Sequence, residues 1–218
     1  YSSARDIAIM SRELLKYEEV TRYTGLYQDY LRKHTDKPFW LVNTNKLVRF
    51  YTGADGLKTG YTSSAKFCLT ATAKRDDFRV IAVVLGVPNS KTRNAEVSQM
   101  FDYAFSQFKV HPILAKGETI GSHSIDKGSV PELEFVADRR MSVLLKKADK
   151  TDAIRHELQV DEPLQLPIGK GQVVARLNVY NGDVKIAEFP LSSPTDVRKA
   201  GWWTLFKRSA TRIFVPAD

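Results

Sequence analysis

The sequence predicts an α+β chain, an antiparallel sheet with covering helices followed by a small all-β domain, and three observations predict it. Apolar residues recur at helical spacing near the start and again at Val97, Met100, Phe101, Ala104, Phe105 and Phe108. Between these stripes lie two β-prone runs, Phe67 to Ala73 and Phe78 to Gly86, separated by Lys74-Arg75-Asp76-Asp77. From Thr119 to about Leu191 the helical stripes stop, and short runs of alternating character are broken by Gly, Pro and charged pairs.

The elements follow in order. Ser2 or Ser3 can cap a helix over about residues 3 to 16, with Asp6 three residues past Ser3 in a capping-box position and Ile7, Met10 and Leu14 on one face. A second short helix runs from Glu18 to Thr24 and stops at Gly25; short strands and loops follow, including the apolar run Phe39-Trp40-Leu41-Val42. The turn-rich Thr52-Gly53-Ala54-Asp55-Gly56 leads into Leu57-Lys58-Thr59-Gly60-Tyr61-Thr62, and the two β runs after it form a hairpin in the middle of a sheet. The stripe from Val97 to Phe108 makes the helix that covers that sheet.

Composition changes near His111-Pro112, which places a domain boundary between residues 109 and 118. The organisation expected is residues 1–110, 111–195 as the all-β domain, and 196–218 as an amphipathic tail. Within the β domain, Leu133 to Val136, Val143 to Leu145 and Val173 to Tyr180 read as strands. Asn181-Gly182 joins the last of these to Val184 to Phe189 as a hairpin. In the tail, Trp202, Leu205, Phe206, Ser209 and Ile213 share a helical face while Lys207, Arg208 and Arg212 lie away from it. This is the composition of an interfacial membrane helix, or of a helix docking on its own domain.

The 218 residues are 43% hydrophobic, enough for a substantial core, and carry a formal charge of +8, which favours anionic surfaces. The single cysteine, Cys68, excludes an internal disulfide framework. With four histidines scattered singly (His34, His111, His123, His156) there is no metal-ligand spacing, so neither metal nor cofactor is expected. No basic helix, zinc pattern or aromatic-basic RNA-binding motif supports nucleic acid as a partner. The chain starts without Met, without a leader-like segment and inside a helix, so a fragment of a longer, secreted protein is expected.

The chemistry centres on Lys58-Thr59-Gly60. On a strand, after a glycine-rich turn and before a hairpin, this triplet can offer backbone groups to an extended peptide, and Gly60 has no side chain to block a close approach. Lys-Thr-Gly belongs with Ser-x-x-Lys and Ser-Asp-Asn in the motif set of penicillin-binding proteins and class A β-lactamases. Asp55 to Thr62, followed by Ala65 and by Leu69-Thr70-Ala71-Thr72-Ala73, resembles the substrate strand of the low-molecular-mass penicillin-binding proteins, the serine D-alanyl-D-alanine carboxypeptidases. Tyr1 to Ala8 resembles the helix before it, and Gly171-Gln172-Val173-Val174 the small C-terminal β domain; the likeness is strongest to carboxypeptidases of spore-forming Bacillus relatives.

The resemblance implies the later part of a β-lactamase/transpeptidase-like catalytic domain, and an enzyme that removes the terminal D-Ala from peptidoglycan stem peptides through a serine acyl-enzyme. It implies extracytoplasmic work at the cell membrane or wall, with β-lactams as inhibitors of the full-length parent and peripheral membrane contact through the tail. It assigns Lys58 to positive charge near the reacting centre and Thr59 to a hydrogen bond with the substrate carboxylate. Gly60 lies between them and the backbone N–H of Tyr61, which forms half of the oxyanion hole. The resemblance also implies Arg93, at the family's distance from the triplet, as the second carboxylate ligand, a role that a guanidinium fork facing two oxygens suits.

The departures are equally specific. No Ser-x-Asn occurs, and Ser-x-x-Lys occurs only at Ser63/Lys66, Ser106/Lys109 and Ser124/Lys127, none at the first turn of a helix. The nucleophile is therefore expected in an N-terminal part that is missing here, which leaves this fragment inactive by itself. A class A β-lactamase-like hydrolase and a non-catalytic cell-wall-binding module stand as alternatives.

Overall fold

The computed structural model describes residues 1–214, with side chains through residue 208. The chain forms two compact units, Tyr1–Lys109 and Val110–Asp218. In the first, α1 (Ala4–Leu14) and α2 (Glu19–Thr24) precede a two-stranded ribbon of β1 (Gln28–Leu31) and β2 (Phe39–Val42). A one-turn helix, α3 (Leu47–Phe50), leads to β3 (Ala54–Thr62), β4 (Lys66–Arg75) and β5 (Phe78–Val87), and α4 (Ser90–Gln107) follows. Strands β3, β4 and β5 form one antiparallel sheet in that order, so β3 is an edge strand among the described residues.

Local sequence explains most of these elements. The Ser3/Asp6 capping box forms, with Asp6 N–H donating to Ser3 Oγ at 3.2 Å and Ser3 N–H to Asp6 Oδ2 at 2.9 Å. The buried face of α1 differs from the one expected. Met10 and Leu14 are 58% and 47% exposed, and Ile7, Ala8, Ser11 and Leu15 turn inward instead. Small residues at 8 and 11 let the helix lie close, and the Ser11 hydroxyl is satisfied by the Ile7 carbonyl at 2.7 Å.

Helix α4 is capped by Asn89, whose side chain accepts the Thr92 N–H at 2.8 Å. Its buried residues are Arg93, Val97, Phe101 and Phe105, one every fourth position. Three of them pack with Leu69, Ala71, Ala73, Ala82 and Val84 of the sheet, where alanines leave room for the two phenyl rings. The stripe expected from sequence was wider: Met100 is exposed, and Phe108 leaves the helix to start the next strand. The one-turn α3 was also not foreseen; four residues are too few to show a period.

Three groups lock the lower edge of this core. Tyr51 Oη donates to Asp102 Oδ1 at 2.7 Å, its ring lies 5.1 Å from Phe101, and the Arg75 guanidinium sits over the rings of Tyr51 and Phe105 at 5.0 and 4.4 Å. Burial, and then the hydrogen bond to Asp102, push the Tyr51 phenol up to about 12.

The second unit is all-β apart from its last helix. It contains β6 (Phe108–Leu114), β7 (Thr119–Ser124), β8 (Glu132–Val136), β9 (Met141–Lys146), β10 (Ile154–Val160), β11 (Val173–Asn181) and β12 (Val184–Ser192), then α5 (Trp202–Phe214). The strands pair as β10-β11-β12, β6-β9 and β7-β8 around a core that includes Leu133, Phe135, Met141, Ile168, Val174, Leu177 and Val197. The Asn181-Gly182 hairpin forms, with Gly182 at φ +60. The two units divide between Lys109 and Val110, inside the stretch 109 to 118 where a boundary is expected, and β6 runs through that division, pairs with β9 and brings Leu114 into the core. At the far end, Arg208 donates to the carbonyls of Gly128 and Ser129 at 2.8 and 3.1 Å, so α5 docks on its own domain, while Trp202, Trp203 and Phe206 stay exposed and stacked. The side chains of Ser209, Arg212 and Ile213 lie outside the described residues.

The Tyr51 phenol has a folded pKa above its unfolded value of about 10, so its protonated form stabilises the fold below that pH. That contribution is lost as pH rises from about 10 towards about 12. The stability difference between the parent chain and Tyr51→Phe, measured by urea unfolding, is expected to shrink across that window; a flat difference refutes the assignment.

Candidate functional site on the edge strand

Lys58 to Tyr61 lie on β3, where the register sets Lys58 opposite Thr70, Thr59 opposite Leu69, Gly60 opposite Cys68 and Tyr61 opposite Phe67. The start of the strand is held from outside the sheet. Thr24 Oγ1 donates to the Asp55 carbonyl at 2.8 Å, and Asn45 Nδ2 donates to the Gly56 carbonyl at 2.9 Å. Arg79 of β5 forms a fork to both oxygens of Asp55, each at 2.8 Å, and also reaches the Thr72 hydroxyl at 2.9 Å. This clamp ties the outer strand to the far one across the middle strand.

Beyond that clamp the edge is open. Lys58 is exposed and its Nζ donates to the Thr59 carbonyl at 2.8 Å. Thr59 Oγ1 lies 2.7 Å from the hydroxyl of Thr44, a residue between β2 and α3. Tyr61 is exposed, with its ring 4.6 Å from that of Phe67. The glycines differ in kind. A Cβ on Gly56 would meet Thr24 Oγ1 at 2.5 Å, whereas one on Gly60 would meet only the Cys68 Cβ at 3.8 Å. The fold itself demands a glycine at 56 and not at 60.

Arg93 is 5% exposed, in the first turns of α4. Its Nε and Nη2 donate to Asn94 Oδ1 at 3.1 and 3.0 Å, and Nη2 also lies 3.5 Å from the Thr44 carbonyl. These acceptors are neutral, and among the described residues no carboxylate pairs with it. Burial pulls the guanidinium pKa down, opposed by the neighbouring Cys68. A desolvated cation without an anion is costly unless an anion arrives.

Of the residues predicted from sequence, Thr59 and Arg93 are therefore brought together, with Thr44 as the link, and Lys58, Gly60 and Tyr61 lie along the same strand. Sequence reasoning missed Thr44, Asn45 and Asn94. The polar triplet Asn43-Thr44-Asn45 after an apolar run reads as a loop, and only the fold shows what it touches. A cleft of about 870 Å³ in the second unit, lined by residues that include His123, Lys127, Glu162 and Lys199, contains none of the predicted site residues.

Urea unfolding separates the two glycines: Gly56→Ala is expected to lose about 1–3 kcal/mol by overpacking, while Gly60→Ala stays within about 0.5 kcal/mol. Equal losses would show that Gly60 is also required by the fold.

Comparison with known proteins gives this geometry its context. Residues 1–89 match the family model for D-alanyl-D-alanine carboxypeptidase, and residues 108–199 match that for the C-terminal domain of penicillin-binding protein 5. The chain is 46% identical over 209 residues to D-alanyl-D-alanine carboxypeptidase DacF of Bacillus subtilis, covering 96% of this chain and 54% of that protein. It is 34% identical over 207 residues to DacA of Haemophilus influenzae, covering 92% and 51%. Among solved structures, penicillin-binding protein 5 of Haemophilus influenzae aligns with a TM-score of 0.75 at 27% identity over 91% of this chain and 57% of that one. The chain thus spans about half the length of the relatives it matches. With Lys58-Thr59-Gly60 on an exposed sheet edge and both family models matched in order, the chain belongs to the D-alanyl-D-alanine carboxypeptidase family of low-molecular-mass penicillin-binding proteins.

Proposed function

We propose that the protein containing this chain removes the terminal D-Ala from peptidoglycan stem peptides, with β3 as the strand along which the substrate peptide lies. The observation that carries this reading is Arg93, a buried guanidinium with neutral partners only, coupled through Thr44 to the hydroxyl of Thr59. That pair suits the carboxylate at the end of a D-Ala-D-Ala peptide: a charge-assisted fork from arginine and a hydroxyl hydrogen bond from threonine. Lys58 adds positive charge beside the reacting amide, and Gly60 lets the peptide approach the strand without a side chain between them.

In this mechanism a serine outside these 218 residues attacks the penultimate carbonyl. The oxyanion that forms accepts from the Tyr61 N–H and from the serine's own N–H, the C–N bond breaks, and D-Ala leaves as a protonated amine. Water then hydrolyses the acyl-enzyme ester. The three Ser-x-x-Lys occurrences do not supply the nucleophile. Ser63 is in the turn between β3 and β4, Ser106 is at the end of α4 and Ser124 closes β7, so none begins a helix that would carry its lysine one turn on. The match of residues 108–199 to the penicillin-binding protein 5 C-terminal domain favours a carboxypeptidase over a class A β-lactamase-like hydrolase.

The substrate places the work outside the cytoplasmic membrane. Among the described residues no helix is long and apolar enough to cross a membrane. Trp202, Trp203 and Phe206, 73%, 58% and 52% exposed and mutually stacked on α5, provide an apolar face for peripheral membrane contact.

Two measurements test this reading. Fluorescent penicillin is expected to label the full-length protein covalently and to leave the 218-residue chain unlabelled. In the full-length protein, Arg93→Met lowers the acylation rate constant by about tenfold to a hundredfold. Labelling of the short chain places the nucleophile within it, and an unlabelled full-length protein points to a non-catalytic wall-binding module. Separately, flotation with anionic phosphatidylglycerol vesicles is expected to carry the chain, and the triple change of Trp202, Trp203 and Phe206 to Ser to abolish it; equal flotation rejects the membrane contact.

A further inference from the structure

The segment between β2 and α3 is held more firmly than a loop needs to be. Asn43 Nδ2 donates to the carbonyls of Thr24 and Leu26 at 3.1 and 2.9 Å, and its Oδ1 accepts the Asn45 N–H at 2.8 Å. Asn45, 1% exposed, donates to the Gly56 carbonyl and accepts the Leu47 N–H at 3.2 Å. Both asparagines are thus spent on backbone groups of α2, β3 and α3. Thr44, between them, is exposed and pinned on either side, and it makes two contacts: its hydroxyl with Thr59, its carbonyl with Arg93.

The hydroxyl contact has a directional consequence. Two hydroxyls 2.7 Å apart share one hydrogen bond, and either can be the donor while nothing else is bound. A carboxylate is acceptor-only, so it takes the Thr59 proton only if Thr44 is the donor of the shared bond. The Thr44 carbonyl meanwhile engages Nη2 of Arg93, and among the described residues Nη1 makes no hydrogen bond.

We propose that Thr44 is a positioning residue for the substrate carboxylate: its hydroxyl orients the Thr59 proton and its carbonyl orients the Arg93 guanidinium toward the same anion. This rests on the carboxylate-binding reading given above and deepens it. Thr44 touches neither the reacting carbonyl nor the leaving amine, so its side chain acts on substrate binding and not on the chemical step. The valine variant keeps the Thr44 carbonyl and nearly the same volume, and removes only the hydroxyl.

The test is steady-state hydrolysis of an N-acyl-D-Ala-D-Ala peptide by the full-length protein. Thr44→Val is expected to raise KM about tenfold with kcat within about twofold, and Thr44→Ser to restore KM to within about twofold. With the same peptide ending in a carboxamide, the Thr44→Val effect disappears, because the anion that fixes the direction of the bond is gone. Melting temperatures check that each variant is folded, and Thr44→Ala, which frees space instead of filling it, serves if the valine variant is not. A parent-like KM in Thr44→Val, while Thr59→Val and Arg93→Met raise it, overturns the role of Thr44 and leaves the carboxylate reading standing. Failure of serine to rescue also overturns it. Parent-like KM in all three variants overturns the carboxylate reading itself, and this proposal with it.

Discussion

An edge strand has one neighbour, and everything at this site depends on β3 keeping its extended form with half of its backbone groups unpaired by another strand. Natural sheets usually blunt such an edge. Here the blunting is confined to the strand's start, where Thr24 and Asn45 cap the carbonyls of Asp55 and Gly56 and Arg79 clamps Asp55 from across the sheet. The segment from Lys58 to Tyr61 is left open along that edge. The close packing of Thr24 on Gly56 shows the cost of that arrangement: the strand is anchored at a point where no side chain fits.

The second constraint is electrostatic. Arg93 occupies the position in α4 that Val97, Phe101 and Phe105 continue along the same buried face, so helix geometry carries its side chain inward whatever its charge. Desolvation disfavours the cation, and the side chain of Asn94 with the carbonyl of Thr44 offsets part of this without neutralising it. On the proposed reading, preorganised donors of this kind need no reordering when the substrate carboxylate binds.

The second unit has a core of its own. Its interior is apolar and built, among the described residues, from seven strands, and the bonds from Arg208, midway along α5, to Gly128 and Ser129 hold that helix against it. A basic residue thus docks α5 on its own domain while the aromatic cluster stays exposed.

Periodicity and turn chemistry by themselves determined the sheet hairpin, both long helices of the first unit, the Asn181-Gly182 hairpin and the strand that bears Lys58, because each is a local pattern several residues long. The motif, through family resemblance, also pointed to Thr59 and Arg93. Tertiary structure alone decided which face of α1 is buried and that Phe108 leaves its helix, since these depend on the partner surface and not on the residue's own preference. It alone decided, too, that Thr44 joins Thr59 to Arg93. Thr59 and Arg93 lie 15 and 49 positions from Thr44 in the chain, and no local rule spans that distance until the segment before α3 meets β3 and α4.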